Sequence, residues 1–271
     1  MAPVSPLRLT AAESRYVLRG AAAVALVILG LAAFWLSPWS PEALDRPALL
    51  VAVGLPNLGL SAYDSLAHGP ARSATRAEAL WRGGNLAATD LDAPQRAVDL
   101  LRELTESYPS SPRVPDAWER LAAIYARSLQ DPVRASEAWL AGAAAAPADP
   151  RVGDWQLEAG LALQRADQPA RAAEALRAAT AHPEVAVQAW LALGDVLLTD
   201  QASDARIAYQ AALTAGAKGS DATLARLGMA TALERLDRRD EALDELETAQ
   251  AVGDGDDAIR LRIKLLSGAL P

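Results

Sequence analysis

The side chains that most often carry acid–base or metal chemistry are scarce in this sequence. It contains two histidines, His68 and His182, and no cysteine. Neither histidine has a histidine or glutamate companion at the spacing with which proteins bind zinc. The absence of cysteine excludes disulfides, thiolate nucleophiles and zinc sites built from cysteine. We therefore predict that both histidines are loop residues at the surface.

A run of acidic residues near the C-terminus could suggest a calcium site. An EF-hand loop that began at Asp254 would need a bidentate glutamate at its twelfth position, where the sequence has Leu265. We interpret residues 254–257 as a turn that caps the following helix. The sequence also lacks a glycine-rich phosphate loop, a nucleophile elbow and a kinase motif. It therefore predicts no catalytic residue, no cofactor and no metal site, and a protein that is not an enzyme.

The overall charge argues against nucleic acid as a partner. The sequence has 26 basic and 34 acidic residues, a net charge of −8, whereas nucleic-acid binding depends on neutralising phosphates with lysine and arginine. Only 5% of the residues are aromatic, so the core must consist mainly of small and aliphatic side chains, which suits closely packed helices. Lys218 and Lys264 are the only lysines and alanine is abundant, which we interpret as the codon bias of a GC-rich bacterial genome.

A three-residue pattern recurs five times along the chain. It consists of a small residue, a large apolar residue four positions later, and a small or apolar residue three positions after that. The copies are Ala97–Leu101–Leu104, Ala135–Trp139–Gly142, Ala172–Leu176–Ala179, Ala205–Tyr209–Ala212 and Ala242–Leu246–Ala249. Their leading alanines are 38, 37, 33 and 37 residues apart. Because positions i, i+4 and i+7 share one face of an α-helix, the pattern predicts five helices that each bury one face.

A second helical pattern precedes each copy. It is clearest in Trp118–Leu121–Ala122–Tyr125 and Trp190–Leu193–Gly194–Leu197, and weaker in Ala159–Gly160–Leu163 and Leu227–Gly228–Thr231. Trp81, Trp118, Trp155 and Trp190 recur at intervals of 37, 37 and 35 residues, each near the start of a first helix. Turn-forming residues follow the second helices at Pro109, Pro147, Pro183, Gly216 and Gly253. The sequence thus predicts consecutive pairs of helices.

This combination resembles the tetratricopeptide repeat (TPR), whose period is about 34 residues. The similarity extends over residues 74–252, and its first copy is weak because Gly84 and Asn85 stand where a leucine and a small residue are expected. The resemblance implies an all-α, right-handed solenoid of about five helical hairpins over residues 74–271, in which small residues at 122, 160, 194 and 228 let helices approach closely. Residues 256–267 would then form a C-terminal capping helix.

The N-terminal part is predicted to anchor the protein in a membrane as a single pass. Residues 20–39 contain no charged side chain, and 20 helical residues span about 30 Å, the thickness of a bilayer's hydrocarbon core. The tail of residues 1–19 carries three arginines and one glutamate, so the positive-inside rule places it in the cytoplasm and the repeats in the periplasm. A cleaved signal peptide is the alternative, but the apolar run continues through Phe34 and Trp35 without a small-x-small cleavage site.

Residues 40–73 are predicted to be a linker that lies on the membrane or on a partner. Its segment 47–63 contains no charged residue, which leaves a second membrane span as an alternative. Gly54, Pro56 and Gly59 interrupt a helix, so this segment is short and broken for a lipid-exposed span.

In the TPR family, the second, fifth, ninth and twelfth positions of the first helices usually face the concave surface. In this sequence they include Asp116, Glu119, Ala123, Ala126 and Asp154. The residues that the resemblance marks as candidate partner contacts are Leu157, Leu161, Gln164, Leu191, Asp195, Leu198 and Met229. No lysine or arginine occurs at these positions, so the resemblance implies an apolar groove with an acidic edge. Such a groove suits a helix or an extended segment with apolar and basic residues.

These features predict a TPR scaffold or assembly factor at the periplasmic face of a bacterial inner membrane. Its partners would be other proteins, either a membrane complex or exported segments, and the lipid bilayer through residues 20–39. The layout resembles that of the ancillary TPR subunit of the bacterial Sec translocon. The alternative is a permanent accessory subunit of a large respiratory or photosynthetic membrane complex. An envelope enzyme, a third possibility, would need a cluster of titratable residues that the sequence lacks.

Overall fold

The computed structural model describes residues 41–252 and 257–268, which contain only helices and connecting turns. They fall into two units, with the division between Ala93 and Pro94. The described part of the first unit has a short 3-10 helix, Pro41–Leu44, and the α-helices α1 (Asp45–Ala52), α2 (Pro56–His68) and α3 (Ser73–Thr89). The second unit has α4 (Pro94–Ser107), α5 (Val114–Ala123), α6 (Pro132–Ala145), α7 (Val152–Arg165), α8 (Pro169–Ala179), α9 (Ala186–Leu197), α10 (Ala202–Thr214), α11 (Ser220–Arg235), α12 (Arg239–Val252) and α13 (Asp257–Leu266).

The sequence predicts a linker over residues 40–73, and the described part of it, residues 41–73, is largely helical. The uncharged segment 47–63 is divided between α1 and α2, which are joined by Val53, Gly54 and Leu55. Gly54 has φ +83°, a conformation that favours glycine, and Pro56 begins α2 at a position that needs no N–H donor. The residues that argue against one long helix are therefore those that allow two short ones.

The helices of the first unit pack in sequence, α1 on α2 and α2 on α3. A Cβ at Gly59 would lie 2.5 Å from Val51 Cγ2, so α1 and α2 approach closely there. Tyr63 is buried and shares a hydrogen bond with Arg82, whose Nε donates to Glu78 Oε1 at 2.8 Å. Among the described residues no helix is both long enough and apolar enough to cross a bilayer.

The tail of residues 1–19 and the anchor predicted at residues 20–39 lie outside the described part of the chain. The division between the units falls within the first, weak copy of the repeat, between its Trp81 and its Ala97.

In the second unit the five-fold pattern coincides with five helices, α4, α6, α8, α10 and α12. All fifteen residues of the pattern, one of which is Gly142, are buried. Four of these helices, α4, α6, α8 and α10, are each the second helix of a pair and pack against the first helix of the next pair, which is α5, α7, α9 and α11 respectively. Burial of one apolar face against two neighbours is what stabilises helices of this length, since helices this short are marginal by themselves.

Small residues set the distance between neighbouring helices. A Cβ at Gly160 would lie 2.5 Å from Leu176 Cγ, and one at Gly194 would lie 2.5 Å from Tyr209 Cε1. Both glycines therefore allow the two helices of a pair to approach closely, as the sequence predicts. Gly228 differs, because it faces the ring of Tyr209 in the preceding pair.

Helix α13 lies within the capping helix predicted at 256–267. Its buried Ile259 belongs to a cluster with Leu233 of α11 and Leu246 of α12. Arg262 Nη2 lies 2.7 Å from Glu234 Oε1 and donates to Thr231 Oγ1 at 2.9 Å. The apolar end of the last pair is thus covered within the described residues. Three of the acidic-turn residues, 254–256, lie outside the described part of the chain.

Candidate functional site

The first helices of consecutive pairs contact one another, α7 with α9 and α9 with α11. Leu157 and Leu161 of α7, Leu191 of α9 and Leu198 after α9 pack against a single core cluster and remain partly exposed. The structure therefore brings these four candidate residues together on neighbouring helices. The backbone that follows α9 is held in place by Arg235, whose Nη1 donates to the carbonyls of Leu198 and Thr199 at 2.6 and 3.0 Å.

The other three candidate residues have different surroundings. Gln164 is exposed near the end of α7. Met229 is only 3% exposed and belongs to the same core cluster, so its side chain is not available to a partner. A methionine at the ninth position of a first helix can be either exposed or buried. Here the packing of α10 against α11 buries it.

Asp195 is held by a residue from the second helix of its own pair. Tyr209 donates its hydroxyl hydrogen to Asp195 Oδ1 at 2.6 Å. Desolvation raises the pKa of Asp195, and the hydrogen bond from Tyr209 opposes this rise. The pKa of Tyr209 is raised by burial and then by the neighbouring carboxylate. The Asp195 carboxylate, a candidate partner contact, is thus part of a structural contact between α9 and α10.

Arg151, which precedes α7, forms ion pairs with acidic residues at the start of the predicted groove. Its guanidinium nitrogens lie 3.0 Å from Asp116 Oδ1, 2.5 Å from Glu119 Oε2 and 2.8 Å from Asp149 Oδ2. The guanidinium also stacks over Trp155, with its Cζ 4.8 Å from the ring centroid. These hydrogen bonds lower the pKa of Asp149 and raise that of Arg151.

A cleft of about 460 Å³ lies beside this ion-pair network. Its lining includes four groove positions that the sequence identifies, namely Glu119, Ala123, Ala126 and Asp154. The lining also contains Arg127, Arg151 and Arg165, and the carboxylates of Glu119, Asp154 and Glu158. The cleft therefore carries both charge signs, whereas the sequence predicts an apolar groove with an acidic edge. The arginines come from positions outside the four that the family pattern marks, so the pattern could not reveal them.

The backbone of α5 changes to a π-helix over Ile124–Ser128 before it ends. Leu129 N donates to the carbonyl of Ile124, five residues earlier, at 3.0 Å. A π turn holds one more residue than an α turn and is often found at functional positions. Here Ala126 and Arg127 of this turn line the cleft. No feature of the sequence distinguishes these residues from a continuing α-helix.

The Trp155 side chain lies against the cleft and has an unsatisfied donor. Trp155 is buried, and its Nε1–H has no acceptor within residues 41–252 and 257–268. Buried donors in folded proteins nearly always have a partner, such as water, a ligand or another protein. This donor is itself covered by protein atoms and is not exposed at the surface of the cleft.

The two histidines are near the surface and belong to no metal site in the described residues. His68 ends α2, with its Nδ1 2.9 Å from the carbonyl of Asp64, and is a helical rather than a loop residue. His182 lies in the turn before α9, with Nδ1 3.8 Å from Glu184 Oε1. Within the described residues, no group of three or more His, Cys, Asp or Glu side chains could hold a metal ion.

No family model and no curated protein matches this sequence. Solved structures do resemble it. YrrB, a TPR protein with an unusual peptide-binding site, is similar with a TM-score of 0.52 and 18% identity, over 70% of this chain and 92% of YrrB. The MamA protein is similar with a TM-score of 0.51 and 20% identity, over 65% of this chain and 90% of MamA. This likeness confirms a TPR-type helical repeat fold.

Proposed function

We propose that this protein is a membrane-anchored TPR scaffold or assembly factor that binds a segment of another protein along its first helices. The observation that carries the proposal is the surface formed by Leu157, Leu161, Leu191 and Leu198, next to the charged cleft beside Arg151. Half-buried leucines on adjacent helices offer apolar area in a fixed arrangement, which suits a helix or an extended segment. The peptide-binding site of YrrB is consistent with this use of the fold.

The chemistry of the cleft narrows the kind of segment that fits. Asp154 and Glu158 are exposed and make no ion pair within the described residues, and Arg127 is also exposed. These groups match a segment that combines apolar side chains with charges of both signs. This differs from the apolar and basic segment that the family pattern alone suggests.

The proposed location is the periplasmic side of a bacterial inner membrane. The support is the sequence of residues 1–39, with its uncharged stretch of 20 residues after an arginine-rich tail. The arrangement would resemble that of the ancillary TPR subunit of the Sec translocon. Nothing in the proposal requires chemistry by this chain, whose role would be to hold a partner at the membrane.

Site-specific photo-crosslinking tests the groove. A photoreactive amino acid at Leu161 or Leu198, introduced into the full chain in its native membrane, should capture the same partner from both positions. The same amino acid at Arg177 or Gln210, which are exposed on the second helices α8 and α10, is the matched control. Capture from the controls but not from the two leucines would refute the groove.

A reporter fused after Pro271 tests the topology. An exported reporter that requires oxidation or translocation, such as alkaline phosphatase, should be active, and a fused cytoplasmic reporter should be inactive. The reverse result would contradict a single span with a cytoplasmic N-terminus, but it would not bear on the proposed groove.

A permanent accessory subunit of a large respiratory or photosynthetic membrane complex is the second candidate. The exposed apolar side chains of α1 and α2 favour it, because a stable complex could cover them. Purification in mild detergent separates the two candidates. A permanent subunit co-purifies with its complex in a fixed ratio, whereas an assembly factor is recovered mainly without it.

A further inference from the structure

The turn between α1 and α2 exposes a group of large apolar side chains. Leu49 is 62% exposed, Val53 61%, Leu55 45% and Leu58 55%. We call these four residues the apolar tip. They account for four of the eight large apolar side chains that are exposed in the described part of the chain, although α1, α2 and their turn contain few of its residues. Exposed apolar residues that cluster in this way mark an interaction surface.

The segment that carries the apolar tip contains no charged residue. No Asp, Glu, Lys or Arg occurs from Pro47 to Tyr63, and the ionisable residues between Arg46 and Arg72 are Tyr63, Asp64 and His68. Leu49 lies near the end of α1 and Val53 directly follows this helix. The turn and the end of α1 could therefore be buried without desolvating a charge, provided that the exposed Asp45, one helical turn before Leu49, stays in the polar headgroup region.

The position of the tip in the chain indicates what covers it. The uncharged stretch of residues 20–39 ends six residues before Asp45, the first residue of α1. Six residues reach at most about 20 Å. If residues 20–39 cross a bilayer, α1 therefore begins close to the bilayer surface, whatever its direction.

We propose that the apolar tip inserts into the outer part of the same bilayer, so that α1 and α2 lie on the periplasmic surface of the membrane. This inference rests on the proposed anchor at residues 20–39. Interfacial helices of this kind bury their apolar face about 5–10 Å into the boundary between headgroups and acyl chains. Because the tip carries no cation, its insertion depends on apolar burial and not on anionic lipid.

Fluorescence quenching in reconstituted membranes tests the insertion. The chain has no cysteine, so Leu49→Cys, Val53→Cys and Leu58→Cys each place a bimane label at one site of the full-length protein. Leu224→Cys and Ile207→Cys are matched controls, because these side chains are 55% and 57% exposed on the repeats. Leu29→Cys, within residues 20–39, reports whether the anchor itself is in the bilayer. Unchanged thermal unfolding verifies that each labelled variant is folded.

Lipids with a nitroxide near the headgroup should quench the three tip labels strongly, and lipids with a nitroxide at the end of the acyl chain should quench them less. The two control labels should keep their emission in both. Quenching should be equal in neutral phosphatidylcholine and in membranes that contain phosphatidylglycerol.

Three results would overturn the inference, and they are distinguishable. If the label at Leu29→Cys is quenched and the tip labels are not, the anchor stands and the insertion is wrong. If tip labels are protected from aqueous iodide but not quenched by the lipids, a protein surface covers the tip. If the label at Leu29→Cys is not quenched either, the proposed anchor fails as well.

Discussion

The ring of Tyr209 lies between two glycines, Gly194 of its own pair and Gly228 of the next, and its hydroxyl donates to Asp195. This residue therefore fills the space between two pairs of helices and also satisfies a carboxylate at the groove. Buried tyrosines usually have such a partner, because an unpaired hydroxyl loses its hydrogen bonds to water. The hydrogen bond lowers the pKa of Asp195 against the rise that desolvation causes.

We expect Tyr209→Phe to reduce the free energy of unfolding by about 1 kcal/mol, the usual net contribution of one hydrogen bond. The pKa of Asp195 should rise, because the group that stabilises its charged form is removed. NMR titration of the Asp195 carboxyl and denaturant unfolding measure the two effects. Tyr108→Phe is the control, since no hydrogen bond of that hydroxyl is found within the described residues. An unchanged pKa of Asp195 would show that the hydrogen bond does not form.

The contribution of the Asp149 carboxylate to the stability of the fold depends on pH. It accepts hydrogen bonds from Arg151 N, Nε and Nη2 at 2.9, 3.0 and 2.8 Å, which lower its pKa from the ordinary value of 3.8. A carboxyl with a lowered pKa in the folded state stabilises the fold above its unfolded pKa and loses this contribution as pH falls through the folded pKa.

Asp149→Asn should therefore lower the free energy of unfolding at pH 7 by about 1 kcal/mol, since Arg151 keeps two other carboxylate partners. The difference between variant and parent should shrink as the pH falls below 3.8. Urea unfolding at a series of pH values measures this difference in the free energy of unfolding. Asp244→Asn, an exposed position on α12, is the control and should change the free energy of unfolding only slightly at pH 7. A pH-independent difference at Asp149 would contradict the lowered pKa.

At the scale of the elements, glycines determine how closely the helices of a pair approach. A Cβ at Gly194 meets the rigid ring of Tyr209 at 2.5 Å, whereas a Cβ at Gly142 meets Trp118 Cβ at 3.1 Å. Alanine favours a helix over glycine by about 1 kcal/mol, but forcing atoms into a packed core costs about 1–3 kcal/mol. We therefore expect the cost of overpacking to exceed the gain in helix preference at Gly194 but not at Gly142.

Gly194→Ala should lower the free energy of unfolding by about 1–2 kcal/mol, because overpacking outweighs the helix preference. Gly142→Ala, the matched substitution in α6, should change it by less than about 1 kcal/mol, because a small shift of the neighbour accommodates the methyl group. Thermal or urea unfolding compares the pair. Equal effects at the two sites would mean that α9 and α10 are not as close as the structure places them.

The turns inside the helix pairs follow a rule that the repeat pattern does not include. Gln130, Asp167 and Asp237 have positive φ values of 53°, 55° and 57°, each two residues before the second helix of its pair begins. Pro132 and Pro169 are the first residues of α6 and α8. Proline is favoured at the first position of a helix, so these residues could have located the second helices from the sequence.

At the scale of the whole molecule, a repeat structure depends on its ends, because each pair contacts only its neighbours. Helix α13 covers the last pair in the described part of the chain through Ile259 and the Arg262–Glu234 ion pair. Loss of this cover should therefore affect the adjacent pair first. Pairs further away should keep their protection.

Ile259→Ala should accelerate amide hydrogen exchange in α11 and α12, with a local loss of about 2 kcal/mol from the truncated side chain. Exchange in α7 and α9 should not change. Hydrogen exchange measured by mass spectrometry distinguishes the helices, and Leu261→Ala, at a side chain 53% exposed on the same helix, is the control. A uniform acceleration throughout the repeats would argue for a single cooperative unit instead.

The sequence by itself determined the repeated helix pairs, because the residues that carry them recur within one helix at i, i+4 and i+7. The buried alanines and leucines of α4, α6, α8, α10 and α12 follow directly from that spacing. The close approach at Gly160 and Gly194 also follows, since a small residue opposite a large one is a local signal in each helix. These features depend on short distances along the chain.

Only the tertiary structure decided the character of the groove. Arg151 reaches Glu119, which is 32 residues away, and thereby adds a positive charge to the acidic edge that the family pattern implies. Met229 is buried and the π turn of α5 reaches the cleft because of packing between helices, which no local spacing records. The same holds for residues 45–68, where two short helices form because they pack on each other and on α3, and not because either is stable by itself.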